Sequence, residues 1–399
     1  MDTDKVPPGT RILMVAGGTG GHIFPALAVA EELRRRGEPG NPRYTIEFLG
    51  THRPLEAKLI PAAGFRLRAV DAAGLKGMDG MQRVRNLLVL PRTAIAVAGI
   101  LREFRPRVVV GVGGYLAGPV MLEAALAGIP TVLIEPNARP GFTNRLLAPW
   151  VRAAAVGFAE TAQLYGKKAQ VTGHPVRRAF FDIPPRCPAP PVAPPLLAVD
   201  RETQPGVAAP LGATVEAPSP FTLLVLGGSQ GARAINQAVV QSLPLLEAFA
   251  SGMRIIHQTG ERDYNEVLKN YQGRSLPTEV HAFIDDMPGV LSQADLVISR
   301  AGATAVAELA AAGRAALLIP FPGAADQHQL ANALTMEKAG AARLIVQAEL
   351  APERLVGEIR ELMVNPAKLE SMEKCARGLA RPAAAARIAD MVEHLAGGI

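Results

Sequence analysis

RILMVAGGTGGHIFPALAVAEELRRRG, residues 11–37, decides how the chain folds. Its first six residues are an apolar run too short for a helix and read as a buried strand. Glycines then break the run. The periodic stretch Phe24–Arg36 reads as a helix, with Pro25 in its first turn and Gly37 just past its end. Tyr44–Leu49, Val108–Val112 and Thr131–Ile134 are further predicted strands, separated by helical patterns. That alternation predicts a parallel sheet covered on both faces.

The same unit recurs at 221–242, where FTLLVL is followed by GGSQG and a helix over Ala232–Ser242. Strands are expected at Met253–His257, Leu296–Ser299 and Ala315–Pro320, and helices at Thr304–Ala312 and Gln329–Ala339. Residues 1–178 and 221–380 are therefore read as two doubly wound domains. Between them, 179–220 is rich in Pro and Ala without a period of 2 or 3.6, and is read as a linker or disordered insertion. A C-terminal helix over 381–399 is expected to pack back on the first domain. Two sheets facing across a cleft place ligands at the carboxyl ends of their strands.

The chain has 399 residues, 42 of them Lys or Arg and 36 Asp or Glu, for a net charge of +6. Hydrophobic residues at 49% supply ample core and exclude bulk disorder. Two cysteines, Cys187 and Cys375, exclude a disulfide framework and a tetrathiolate metal site, and fit a reducing compartment. No apolar run approaches the roughly 20 residues that span a bilayer, and Met1–Pro8 has no apolar segment of a secretory signal. Nucleic acid is not an expected partner, since no zinc-knuckle or RRM signature occurs and aromatics total 5%. The basic excess fits an anionic substrate or an anionic membrane surface better.

A glycine loop between strand and helix turns free N–H groups and the helix dipole toward an anion. Ile23 stands where the dinucleotide fingerprint needs its third glycine, and the second strand ends FLGT without a ribose-binding acid. GxxxxGK[ST] is absent. NAD and P-loop chemistry are both disfavoured. His22, at the helix start, is a candidate base, because its pKa lies near neutrality and the dipole favours its neutral form. SRAGAT at 299–304 leads into a helix carrying Glu308, an arrangement that can wrap a diphosphate with Arg300 and accept ribose hydroxyls. DQHQ at 326–329 adds polar groups to the same cleft. Each feature alone is equally an ordinary turn, cap or solvated helix start.

Taken together, GGTGGHIFPALAVAEEL (17–33), GVGGYLAGP (111–119), GGSQGARAIN (227–236), FIDDM (283–287) and SRAGATAVAELAAAG (299–313) resemble the MurG family. These are UDP-N-acetylglucosamine: undecaprenyl-pyrophosphoryl-N-acetylmuramoyl-pentapeptide N-acetylglucosaminyltransferases. The resemblance implies a glycosyltransferase B fold of two Rossmann-like domains, with the acceptor in the first and the donor in the second. It implies inverting transfer of GlcNAc from UDP-GlcNAc to the muramoyl 4-hydroxyl of lipid I, by a peripheral protein on the cytoplasmic face of the bacterial membrane. Other cell-wall synthesis proteins are further implied partners. Thr19, Gly20 and Gly21 fall on the family's first glycine loop, Asn137 on its asparagine, Arg177 on the arginine of its NPVR element and Ser229 on its second loop. Ile284 falls on the uracil contact, Ala303, Thr304, Ala305, Val306, Ala307 and Glu308 on the diphosphate and ribose element, and Gln329 on the donor-sugar glutamine. The chain departs from the pattern at IEPN (134–137), at His174 before PVR, and in the long Pro-Ala insertion.

Another nucleotide-sugar enzyme on the same architecture, a lipid glycosyltransferase or an epimerase, is the alternative. A non-catalytic nucleotide-sugar-binding protein is disfavoured by the joint presence of His22, Arg300, Glu308 and Gln329. No cofactor and no first-shell metal are expected, since the only Asp-x-Asp is Asp2-Thr3-Asp4. Leu75–Leu88, with Lys76, Arg83 and Arg85 interleaved among apolar residues, is read as the membrane-docking surface, and Val89–Leu101 as core-facing helix.

Overall fold

The computed structural model describes residues 9–37, 43–71, 80–186, 220–228, 231–324 and 327–397, the side chains of 80–91 and 115 excepted. In the first domain the strands are β1 (Thr10–Val15), β2 (Tyr44–Gly50), β3 (Arg66–Ala69), β4 (Val108–Gly111), β5 (Thr131–Glu135), β6 (Ala153–Val156) and β7 (Ala169–Val171). The helices between them are α1 (Gly20–Arg35), α2 (Pro54–Ala62), α3 (Gly80–Phe104), α4 (Gly114–Leu126), α5 (Phe142–Leu147) and α6 (Ala159–Tyr165). The second domain runs β8 (Phe221–Leu226), α7 (Arg233–Leu246), β9 (Met253–Gln258), α8 (Tyr264–Tyr271), β10 (Thr278–His281) and α9 (Met287–Gln293). It continues β11 (Leu296–Ser299), α10 (Ala303–Ala312), β12 (Ala316–Leu318), α11 (His328–Lys338) and β13 (Ala342–Leu344). Three helices close the chain, α12 (Pro352–Met363), α13 (Pro366–Leu379) and α14 (Ala384–Ala396).

Among the described residues both sheets are parallel throughout, in the orders β3-β2-β1-β4-β5-β6-β7 and β10-β9-β8-β11-β12-β13. Alternate residues of each central strand feed opposite faces. Ile12 and Met14 of β1 join one apolar cluster, and Leu13 and Val15 join another. In β8, Leu223 and Val225 face one cluster and Leu224 its opposite. Burial on both sides is why these strands read as continuous apolar runs. The strand order reverses beside β1 in one sheet and β8 in the other, so the switch points fall between β1 and β4 and between β8 and β11. Ligands of doubly wound sheets bind there.

Several local expectations change. Helix α1 starts at Gly20 rather than Phe24, because Thr19 adopts the extended N-cap conformation and its carbonyl receives the His22 and Ile23 N–H groups. The predicted Ala315–Pro320 strand narrows to Ala316–Leu318. The first residues of the expected linker are folded. Phe180 and Ile183 are buried in the second domain, and Arg186 pairs with Asp295 at 2.7 Å and Glu373 at 2.9 Å. The rest of that insertion, 187–219, lies outside the described residues. In α3, Val97 and Leu101 are buried but Ile95 is exposed, so the core-facing reading holds for one face only. The Leu75–Leu88 side chains lie outside the described residues.

The C-terminal helix α14 lies on the first domain, where Ile388, Ala389 and Val392 enter its core. Arg36 pairs there with Glu393 at 2.7 Å and Asp390 at 2.8 Å. The chain thus crosses between domains twice, near 173 and near 381. At the crossing the two passes touch, since a Cβ on Gly173 would sit 2.6 Å from Arg381 Cβ.

Candidate functional site

The loop after β1 and the loop after β4 meet at the first switch point. His22, half-buried in the first turn of α1, places Nδ1 3.5 Å from Thr19 Oγ1, and its ring hydrogen-bonds the backbone of Gly17. Burial pushes its pKa below the usual histidine value, with His328 acting in the same direction, while the Gly17 hydrogen bond and Glu56 oppose. The imidazole is therefore neutral at pH 7, chiefly through desolvation. Gly113 and Gly114 let the second loop run against this ring, with φ of +108° and +87°. A Cβ on Gly114 would lie 2.9 Å from the Gly17 carbonyl oxygen and 3.6 Å from His22 Nδ1.

Asn137 follows β5, and its position depends on buried Glu135. That carboxylate accepts the backbone N–H and side-chain amide of Asn137, the Gly141 N–H at 3.1 Å and the Asn144 amide at 2.8 Å. Burial raises the Glu135 pKa, and those donors pull against it. The Pro136 replacement therefore leaves the Asn137 backbone clamped. Asn144 in turn lies 3.3 Å from where a Gly113 Cβ would stand, which ties this group to the His22 loop.

In the second domain, Gln258 at the end of β9 joins two motifs. Its amide donates to the Gly228 carbonyl at 3.1 Å and its oxygen accepts from the Ile284 N–H at 2.9 Å. The glycine loop after β8 and the FIDDM segment are thus one unit. Gly231 is required there, since at φ +79° its Cβ would meet the Thr259 carbonyl at 2.6 Å. Ser229 lies outside the described residues, as does Asp326. Arg300, at the end of β11, donates to the Ile319 carbonyl at 3.0 Å and lies 5.4 Å from the Phe321 ring centroid. Gln329 on α11 accepts from the Phe321 N–H at 2.9 Å, which pins the loop after β12 against the same edge.

The two edges meet. Thr304 Oγ1 in the first turn of α10 donates to the Gly21 carbonyl at 3.2 Å. Arg177 sits between the rings of Phe24, at 4.7 Å, and Phe180, at 5.0 Å, and faces Glu308 at 4.0 Å. Burial carries the Glu308 carboxyl up to about 7, against the pull of Arg177. Lys58 on α2 pairs with Asp285 at 2.7 Å and lies 5.1 Å from the Phe283 ring, beside Ile284. Behind α10 a cavity of about 180 Å³ is lined by Pro136, His174, Ala303, Val306, Ala307 and Asn332. Burial holds His174, which replaces the asparagine of the motif, neutral with a pKa of about 3.

Residues 12–156 match the glycosyltransferase family 28 N-terminal domain and 222–393 its C-terminal domain. A transferase of Anaeromyxobacter sp. (strain Fw109-5) is 42% identical over 386 residues, covering 96% of this chain and 93% of its own. It carries the name UDP-N-acetylglucosamine--N-acetylmuramyl-(pentapeptide) pyrophosphoryl-undecaprenol N-acetylglucosamine transferase. The chain belongs to glycosyltransferase family 28, in its MurG group. The same-named protein of Syntrophotalea carbinolica is 40% identical, covering 97% of this chain and 99% of its own. The crystal structure of Acinetobacter baumannii MurG matches with a TM-score of 0.67 at 29% identity, covering 97% of this chain and all of that one. A UDP-GlcNAc 2-epimerase from Neisseria meningitidis shares the fold alone, with a TM-score of 0.63 at 13% identity over 96% of this chain and 99% of that one. The two parallel-sheet domains are the glycosyltransferase B architecture of this MurG group.

In this family 28 chain the structure gathers Thr19, Gly20, Gly21, His22, Arg177, Thr304 and Glu308 at one contact between domains. Beside it in the second domain lie Arg300 just after β11, Ile284 in the loop after β10, and Gln329 in the first turn of α11. Ala303, Val306 and Ala307 line the rear cavity, and Ala305 lies half-buried on the same helix. Sequence reasoning did not single out Glu56, Asn144 or Gln258 as site-forming. Their partners, Gly18 and Thr51 for Glu56, Glu135 for Asn144, and Gly228 and Ile284 for Gln258, follow from how the loops pack rather than from any motif.

Proposed function

We infer that this protein transfers N-acetylglucosamine from UDP-GlcNAc to the muramoyl 4-hydroxyl of undecaprenyl-pyrophosphoryl-MurNAc-pentapeptide, forming lipid II from lipid I in peptidoglycan synthesis. The observation that carries the reading is the contact of the His22 loop with the start of α10, in a chain that matches transferases so named end to end. The acceptor oxygen forms a bond to the anomeric carbon as the bond from that carbon to UDP breaks, and the configuration inverts. The acceptor proton passes to His22, which burial keeps unprotonated and available as a base. The negative charge that develops on UDP is met by the N–H groups opening α10 and by Arg300. Glu308 accepts ribose hydroxyls, Gln329 holds the sugar, and Ile284 meets the uracil.

No metal is required in this scheme. Radiolabelled UDP-GlcNAc with detergent-extracted lipid acceptor tests it, with one UDP released per labelled lipid formed. Conversion of UDP-GlcNAc without acceptor would favour the epimerase reading. His22→Ala lowers turnover by roughly 10²–10⁴ while the donor dissociation constant stays within a few-fold.

The lipid acceptor stays in the bilayer, and among the described residues no helix is long and apolar enough to cross one. Docking on the anionic cytoplasmic face is therefore part of the reading. Phe142 and Leu146 of α5 and Trp150 after it are 68%, 59% and 52% exposed, with Arg145 and Arg152 exposed alongside. They fit such a surface together with 75–88. Phe142→Asp with Trp150→Asp, or Arg83→Glu with Arg85→Glu, weakens sedimentation with phosphatidylglycerol vesicles while a soluble acceptor is still turned over. Unchanged sedimentation in both variants refutes the docking surface.

A further inference from the structure

Beneath the first glycine loop lies a carboxylate that the scheme above does not use. Glu56, in the first turn of α2, is fully buried. It accepts the Gly18 N–H at 2.7 Å, the Thr51 hydroxyl at 2.9 Å and the Thr51 N–H. Gly17 and Gly50 leave room for it, since a Cβ on Gly17 would stand 3.4 Å from a Glu56 oxygen and one on Gly50 would collide with the carboxylate. A buried carboxylate persists only when donors and charge compensate it, and here two of its three donors lie at the end of β2. The third lies in the loop whose next link is His22.

We propose that Glu56 is the positioning residue of this site: by holding the Gly18 N–H it fixes the Gly17 carbonyl against the His22 ring, and so sets which ring nitrogen is free to take the acceptor proton. A neutral imidazole donates through one nitrogen and accepts through the other, so the carbonyl that receives the donor selects the basic nitrogen. The proposal rests on His22 being the base. The other charged or titratable groups around the ring are His328 from α11 and Arg53 at the start of α2, which donates to the Gly18 carbonyl at 3.2 Å. Of these only Glu56 brings negative charge, and it works against desolvation to keep His22 basic enough for its task.

The experiment is histidine NMR titration of full-length Glu56→Gln alongside its kcat as a function of pH. The substitution keeps shape and removes charge. His22 then titrates at lower pH than in the wild type, and the acidic limb of kcat moves down with it. The kcat falls at least about tenfold and by no more than the 10²–10⁴ a general base contributes, while the UDP-GlcNAc dissociation constant stays within twofold. Wild-type titration and wild-type kcat in Glu56→Gln overturn the proposal. So does a loss of kcat with the acidic limb unmoved, which marks a purely structural role. If Glu56→Gln does not fold, Glu56→Asp keeps the charge and withdraws it from Gly18, and wild-type kcat in that variant is equally fatal. His22→Ala separates the two readings: full turnover there removes the base itself, whereas the His22 titration in Glu56→Gln still reports on the positioning.

Discussion

Replacing Glu308 by Gln isolates the cost of burying an acid at the proposed donor site. Burial holds its carboxyl at about 7 instead of the ordinary 4.5, with the Arg177 guanidinium 4.0 Å away offsetting only part of the desolvation. The ribose hydroxyls are donors, so they are received best by the ionised form. With a midpoint near 7, about one carboxyl in eleven is ionised at pH 6 and about ten in eleven at pH 8, which makes donor affinity about tenfold tighter at the higher pH. The diphosphate diester of UDP-GlcNAc does not itself titrate in this window. Isothermal titration of UDP-GlcNAc at pH 6, 7 and 8 reads the slope directly, and in Glu308→Gln the slope disappears. Stability moves the opposite way. The folded chain holds this proton where the unfolded chain has lost it, so the wild type loses stability as pH rises from about 4.5 through about 7. A shift of that size corresponds to roughly 3 kcal/mol. Glu308→Gln unfolds at higher denaturant than the wild type at pH 8, and that advantage shrinks toward pH 4.5. Identical affinity slopes in the two proteins, or a stability difference that ignores pH, would refute the account.

Three further outcomes follow from the geometry. Excess chelator leaves turnover of lipid acceptor unchanged within twofold, because the proposed scheme meets the leaving-group charge with Arg300 and α10; activity abolished by chelator and restored only by a divalent ion refutes this. Ile388→Ala in α14 opens a cavity in the first domain's core and costs about 2–5 kcal/mol in urea unfolding, although residue 388 is far along the chain from that domain. Gly114→Ala strains a φ of +87° and drives a methyl against the Gly17 carbonyl, so kcat drops by at least tenfold with donor affinity retained.

The two glycine loops were legible because a strand, a glycine break and a helix are local signals, reinforced in the first by Pro25 and Gly37, and both loops sit at the switch points. β3, RLRA, was not, since four residues of an edge strand, none of them buried, carry too short an alternation and no apolar run to mark it. β6, AAAV, offers a single β-branched residue, Val156, after three alanines, too little to announce a strand. The insertion's start was misplaced for a related reason. IPPR at 183–186 has linker composition, and only the distant acids Asp295 and Glu373 give Arg186 a place to dock. Burial of charge at Glu56, Glu135 and Glu308 is likewise a property of the assembled fold.

The double crossing between domains has a mechanical consequence. A single covalent strand joining two bodies leaves them free to twist, bend and slide, whereas two strands touching at Gly173 and Arg381 act as a strap hinge with one easy axis. Rotation about that axis moves the far rim most and the rear cavity least. The Lys58–Asp285 pair, which crosses from α2 to the FIDDM segment, is a further tie between the two bodies, one that any parting of them would have to break.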